Sequence, residues 1–374
     1  MDDTFRLLQE SIRRFVEKEI VPKGHAWEEQ GFVPREVLRE MGKLGFLGLR
    51  YAEEYGGGAL DARATALLAE ELGRSTFSGF AITVLVHTDM ASPHLVNAGS
   101  PEQIKRYLPR IISGELITAV AVTEPDAGSD VKSIRTSARR DGNDYVLKGS
   151  KMFITNGALA DVYFVAAKTD PAGGSKGISI FIVEKGTKGF SVGRKLEKMG
   201  WRSSDTAELV FDDCRVPVAN LLGEEHRGFY SIMKNFQNER IAISAMAMGE
   251  ASRAIELTLE YVRTRKAFGA PLWDKQVIRQ RLSMLAAKVE AGRQLVLHSA
   301  SLDAQGRDCV KEVSMAKAYC AELLNDVVYD CLQFHGGFGY IKESAIERMY
   351  SDARVQTIGG GATEVMLEEV AKRL

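Results

Sequence analysis

The sequence predicts an α+β protein with an N-terminal helical domain, a middle antiparallel β domain and a C-terminal helical bundle. Three observations carry this. Apolar residues recur at helical spacing over residues 1–115. Between 116 and 217 the chain breaks into short β-branched and aromatic runs separated by Gly, Asp, Asn or Pro. Beyond 217 the helical period returns and holds through 218–374. A length of 374 residues allows a large core and two or three such units.

In chain order, Phe5, Leu8, Ile12, Phe15 and Val16 mark the apolar face of a first helix, which Pro22 closes. Further helices are expected over 34–44, 62–73 and 101–113, punctuated by the turn Tyr55-Gly56-Gly57-Gly58. The segment 89–95 is mixed and its role is not legible. Strands are expected over 116–123, 145–148, 151–155, 162–168, 178–184 and 208–212. Strands at that spacing without intervening helices point to an antiparallel barrel or sandwich. Long helices follow over about 225–264, 274–305 and 309–335, with shorter ones at 343–353 and 363–373.

Composition narrows the function classes. With 45% hydrophobic and 26% charged residues the chain reads as an ordinary globular protein. Its 49 Lys+Arg balance 50 Asp+Glu, so no basic excess argues for nucleic acid. The opening Met1-Asp2-Asp3-Thr4 is acidic, unlike a signal or transit peptide, and no apolar run is long enough for a membrane span. Cys214, Cys309, Cys320 and Cys331 form no CxxC pair, and the six histidines show no HExxH or HxxxH, so no metal site is expected. A cytoplasmic, reducing compartment is the expectation.

The stretch Phe236-Gln237-Asn238-Glu239-Arg240-Ile241-Ala242 stands out. Glu239 lies early in an apolar-periodic helix, where lost solvation would raise its pKa towards that of a general base. On these residues alone a solvated or ion-paired glutamate beside Arg240 is the more ordinary reading. Three other stretches group small polar residues and glycines at element ends, where backbone N–H groups can face a polar ligand. They are 123–130 (Thr-Glu-Pro-Asp-Ala-Gly-Ser-Asp), Lys151-Met152-Phe153-Ile154-Thr155-Asn156-Gly157, and Gln333-Phe334-His335-Gly336-Gly337-Phe338-Gly339-Tyr340. No GxGxxG follows a strand and no GxxxxGK[ST] occurs.

Taken together and in order, these stretches resemble the acyl-CoA dehydrogenase family. The Tyr55-Gly56-Gly57 turn, Met199-Gly200-Trp201-Arg202-Ser203-Ser204-Asp205 and Arg263-Thr264-Arg265-Lys266-Ala267-Phe268-Gly269 complete a match over essentially the whole chain. The resemblance implies FAD held between the β domain and the C-terminal helices. It sets Thr123 and Ser129 beside the isoalloxazine and the substrate, and Phe153 and Thr155 along the flavin wall, with Thr155 close to N5. It sets Arg265, Phe268, Gln276, Gln333, Gly336 and Gly337 at the FAD of a neighbouring subunit in a homotetramer. Ala362 and Glu364 fall on the FAD side of the last motif.

The departure from the family pattern lies in Ile358-Gly359-Gly360-Gly361-Ala362. Many members carry the catalytic Glu where this chain has Gly360. A smaller group, resembling the long-chain and isovaleryl-type members, carries it just before an Arg, and Glu239-Arg240 matches that arrangement. The resemblance then implies Glu239 as the base, with Glu364 the rival carboxylate. The N–H at Gly360 would hold the thioester carbonyl and Gly361 would lie beside it. Gln237, Asn238 and Arg240 would lie beside CoA, while Phe229 and Met233 line the acyl channel. The implied reaction is α,β-dehydrogenation of an acyl-CoA to the trans-2-enoyl-CoA, with hydride passing to flavin N5 and electrons going on to electron-transfer flavoprotein. An acyl-CoA oxidase, a flavin-dependent elimination and a silent FAD- and CoA-binding scaffold are the alternatives.

Overall fold

A computed structural model describes residues 3–374. Its first helix, α1 (Asp3–Phe15), buries Phe5, Ile12 and Phe15. It runs on into a wide π-type turn at Val16–Ile20, so the helical path stops only at the residues before Pro22. A short helix that the periodicity did not reveal, α2 (Gly24–Gln30), comes next. It is followed by α3 (Arg35–Lys43) and α4 (Ala62–Gly73), the latter capped by Asp61, whose side chain accepts a hydrogen bond from the Arg63 N–H. The unread segment around 89–95 is helical and buried. Here α5 (Ser78–Leu85) leads into a second π-type turn, Val86–Ala91, and then α6 (Ser92–Ala98). A reciprocal Ser100–Gln103 capping box starts α7 (Pro101–Ile112).

The middle of the chain forms β1 (Thr118–Ala121), β2 (Ser137–Asp141), β3 (Asp144–Thr155), β4 (Val162–Lys168), β5 (Ile178–Glu184), β6 (Phe190–Lys195), β7 (Thr206–Pro217) and β8 (Leu221–Leu222). Among the described residues they make one eight-stranded sheet in the order β6-β7-β3-β2-β4-β5-β8, with β1 also on β4. Most pairings are antiparallel, as expected. The exceptions involve β4, which runs parallel to β1 from Thr118 opposite Val162 and meets β2 in parallel at Ser137 opposite Lys168. Parallel neighbours require a long connection, and β2 and β3 lie in the loop between β1 and β4. The expected strands 145–148 and 151–155 are one strand, interrupted by two register shifts against β7.

The C-terminal part comprises α8 (Gly228–Thr264), a β9–β10 hairpin (Lys266–Ala267, Ala270–Pro271), α9 (Gln276–Ala304), α10 (Val310–His335), α11 (Ala345–Ala353) and α12 (Thr363–Ala371). The middle of α8 is buried almost without interruption from Asn238 to Ala251, because α4, α9 and α10 pack around it. Close approach to α4 depends on small residues. A Cβ at Gly249 would sit 2.0 Å from the Glu70 carbonyl oxygen, and one at Gly73 would sit 2.3 Å from that of Met246. All four cysteines are buried.

Candidate active site

Glu239 projects from α8 and is 8% exposed. Asn235, one turn earlier, donates from Nδ2 to its Oε1 at 3.1 Å. Burial pushes the carboxyl up to about 7, while that hydrogen bond and the charge of Arg240 pull the other way. The neighbouring Arg240 directs its guanidinium elsewhere, over the Phe236 ring at 5.7 Å and towards Ser314 Oγ at 3.4 Å. The arrangement is therefore a desolvated carboxylic acid poised near neutrality. Glu364, by contrast, is exposed in the first turn of α12.

The glycine loop meets α8 one turn beyond Glu239. Gly360 has φ +63°, and a Cβ there would lie 2.3 Å from Ile243 Cδ1. Residues four apart share a helix face, so Ile243 places the loop on the side of α8 that carries Glu239. Gly361 is held from behind, its carbonyl accepting a hydrogen bond from Lys317 Nζ. A Cβ on Gly361 would lie 2.6 Å from Met366 Cε. Burial and the Arg240 charge bring the Lys317 amine down to about 8. Ala362 caps α12.

Three residues upstream on α8 turn apolar side chains to the β domain. Phe229, Met233 and Phe236 pack, partly buried, on an apolar cluster that includes Leu95, Phe164, Ile180 and Ile232. Gln237 Oε1 accepts from Cys309 Sγ at 3.3 Å, and Asn238 Nδ2 donates to the Asp89 carbonyl at 2.7 Å. Arg50 holds the Asn238 amide oxygen and pairs with Asp303 at 3.0 Å.

A second grouping lies on the sheet. The register shift between Lys151 and Ile154 sets two β3 residues against one of β7 and leaves Phe153 at φ +60° and 63% exposed. Such a bulge re-aims a side chain out of the ladder. The Met152 N–H donates to the Thr123 carbonyl at 2.9 Å, which brings the 123–130 segment alongside. Underneath, the buried pair Lys151–Glu124 at 2.7 Å anchors both stretches, with Glu124 also accepting from the Arg135 and Thr136 N–H groups. Thr123 and Thr155 are half-buried, and Ser129 is exposed.

The third grouping is remote. Arg265 follows α8, and at ~1.5 Å per residue it stands roughly 39 Å along the helix from Glu239. It is exposed, with its guanidinium 5.8 Å from the Phe338 ring. Phe268 is 97% exposed at φ +53°, and Gln276 at the start of α9 and Gln333 near the end of α10 are exposed too. Gly336 has φ +57°, and a Cβ at either Gly336 or Gly337 would meet open space. Glu239, Gly360 and Gly361 are brought together within the chain; Arg265 is held apart from them by the length of α8.

These groups fit FAD chemically. An exposed aromatic face on a bulge suits a flat ring, and half-buried hydroxyls suit its polar edge. An exposed guanidinium with open glycine backbone suits a pyrophosphate. Sequence reasoning missed Asn235, the Asp89–Met90 turn and the Lys151–Glu124 pair. The spacing of Asn235 four residues before Glu239 was the available signal.

The family models for acyl-CoA dehydrogenases match in order: the N-terminal domain at residues 2–115, the middle domain at 119–214 and the C-terminal domain at 226–374. The long-chain specific acyl-CoA dehydrogenase of Sus scrofa mitochondria is 43% identical over 370 residues, covering 98% of this chain and 86% of the relative. The crystal structure of the acyl-CoA dehydrogenase of Geobacillus kaustophilus superposes with a TM-score of 0.96 at 40% identity, over 100% of this chain and 98% of that one. A structure described as the FAD complex of PigA has the same fold, with a TM-score of 0.96 at 29% identity over 100% and 98% of the two chains. The chain belongs to the acyl-CoA dehydrogenase family and is an FAD-dependent oxidoreductase acting on acyl-CoA.

Proposed function

We propose that Glu239 is the catalytic base of an acyl-CoA α,β-dehydrogenation. The observation that carries this is its buried carboxyl, pushed up to about 7, beside a glycine loop with no carboxylate at position 360. Glu239 takes the α-proton as the Cα–H bond breaks, and the electron pair left behind forms the Cα=Cβ bond of the enoyl product. Bound FAD supplies the acceptor for the hydride that leaves Cβ. The backbone N–H of Gly360 needs no side chain to hold the thioester carbonyl, where negative charge builds in the transition state. Phe229 and Met233 exclude water from the acyl chain, and Gln237, Asn238 and Arg240 orient CoA. Thr123, Ser129, Phe153 and Thr155 seat the flavin ring, with Ala362 and Glu364 bordering it.

Arg265, Phe268, Gln276, Gln333, Gly336 and Gly337 serve the FAD of a neighbouring copy in a homotetramer. The distance of Arg265 from Glu239 along α8 and the exposed rings of Phe268, Phe338 and Tyr340 support this. Electron-transfer flavoprotein is the proposed partner that carries the electrons away. The test is anaerobic bleaching of bound FAD by butyryl-, isovaleryl-, octanoyl- and palmitoyl-CoA, in wild type and in Glu239→Gln. At least one substrate should bleach wild type rapidly, and the variant should be slower by roughly 10²–10⁴-fold. Equal rates would move the base elsewhere.

A further inference from the structure

The π-type turn Val86–Ala91 is unusual in where its carbonyls point. Wide turns displace the regular helical ladder, so their carbonyls find other donors. Here four successive carbonyls each accept from a side chain. His87 O accepts from Thr118 Oγ1 at 3.1 Å, and Thr88 O accepts from the Tyr51 hydroxyl. Asp89 O accepts from Asn238 Nδ2 at 2.7 Å, and Met90 O accepts from Asn235 Nδ2 at 2.8 Å. The last two donors sit three residues apart on α8 and dock on adjacent carbonyls of one turn. Of the two, Asn235 is the one that reaches Glu239: 2% exposed, it donates to Glu239 Oε1 as well.

We infer that Asn235 is a positioning residue for proton transfer: pinned to the Met90 carbonyl, it holds the Glu239 carboxyl in one orientation and favours its proton-accepting form. The inference rests on the reading of Glu239 as the base. Its logic is that of an amide with two N–H groups and two fixed acceptors. One bond to an immobile carbonyl sets the amide plane, and the other then points at a carboxyl oxygen. A donor to the charged form stabilises the carboxylate and opposes the effect of burial. The other charged groups around this centre are Arg240 on α8 itself, Asp89 and Arg50 beyond Asn238, and Lys317 of α10 beyond Arg240. None of them makes a hydrogen bond to Glu239 among those found in the described residues, so Asn235 is its direct handle.

The test uses the FAD-loaded enzyme. The infrared band of a protonated carboxyl that Glu239→Gln deletes is titrated in wild type, Asn235→Leu, Asn235→Ser and Tyr51→Phe. The pH dependence of anaerobic FAD reduction by octanoyl-CoA is followed alongside. Removing the donor should raise the infrared midpoint by about one pH unit or more. Reduction at pH 7 should fall about tenfold and recover towards wild type at pH 9. Tyr51→Phe loosens the same turn without touching Glu239 and should leave the midpoint in place. An unmoved midpoint in Asn235→Leu and Asn235→Ser overturns the inference. So does loss of the fold in both, which would make Asn235 a plain tie between the turn and α8. If the midpoint moves but Glu239→Gln reduces FAD as fast as wild type, Asn235 still orients the Glu239 carboxyl, but the base assignment fails and the role in proton transfer falls with it.

Discussion

Glu239 affects the stability of the fold as well as its chemistry. Its folded pKa of about 7 lies above the ordinary 4.5, so the folded chain binds the proton more tightly than the unfolded one. The stabilisation from this group is fully present below about pH 4.5 and is lost as pH rises through about 7. The loss amounts to about 3 kcal/mol. Glu239→Gln does not titrate and should escape it. Chemical denaturation at pH 5 and pH 8 should therefore show the variant gaining about 3 kcal/mol on wild type between the two. A gap that does not change with pH would mean the carboxyl is not desolvated. The buried Asp352, also pushed up to about 7, is common to both proteins and cancels. Gly360 offers a second test. Its φ of +63° and the Ile243 methyl against it make Gly360→Glu costly, by about 1–3 kcal/mol. Pairing it with Ile243→Ala should recover part of the loss in thermal unfolding. At this scale the sequence was legible where chemistry was displaced: a glycine at 360 and a Glu–Arg pair on a helix. Asn235 was legible only as a spacing: it stands four residues before Glu239, but an Asn-Phe-Gln-Asn stretch does not say which amide turns to the carboxyl and which to a neighbouring turn.

At the scale of elements, the α4–α8 crossing fixes how α8 presents Glu239. Two backbones meet there with only glycine between them. Gly249→Ala should gain up to about 1 kcal/mol in helix propensity. A Cβ placed 2.0 Å from a carbonyl oxygen must nevertheless push the helices apart, at a cost of about 1–3 kcal/mol. The net expectation is a lower melting temperature and slower FAD reduction; a rise in melting temperature would show that the crossing yields easily. The long helices were readable because they hold one period over many turns. The two-residue strands β8, β9 and β10 were not, and neither were β2 and β6. Ser137–Asp141 carries two arginines and an aspartate, and Phe190–Lys195 is mostly exposed, so backbone pairing rather than an apolar pattern makes them strands. Gly149, at φ +145°, explains why β3 read as two pieces. The parallel direction of β1 against β4 is set by the route of the chain, which no local pattern encodes. The Val86–Ala91 turn was missed for a related reason: it is buried on every side, His87, Thr88 and Asp89 included, so its mixed residues show no apolar face.

Across the whole molecule, the residues matched to FAD divide between the sheet and the far end of α8. On the proposed reading one chain alone presents half of each site, and the assembled protein is then expected to hold the cofactor better than its subunits. Arg265→Ala should weaken FAD retention about 10- to 100-fold, as for a lost hydrogen bond to a charged group. Gel filtration of the holoenzyme over a dilution series would read this, and unchanged retention would count against service to a neighbour. Among the described residues no helix is long and apolar enough to cross a membrane. The plan of helices, sheet and helices was legible from texture alone; the division of the site between copies came only from the resemblance, and the length of α8 between Glu239 and Arg265 adds a physical reason for it.

The most direct test is the stopped-flow rate of anaerobic FAD reduction by a saturating acyl-CoA between pH 5 and 9, for wild type and Glu239→Gln. Wild type should rise to a plateau through an inflection near pH 7, the value to which burial brings Glu239. The variant should be slower by roughly 10²–10⁴-fold and should lack that inflection. The same inflection at an undiminished rate in Glu239→Gln would contradict the account and return the base to another carboxylate, with Glu364 the first to examine.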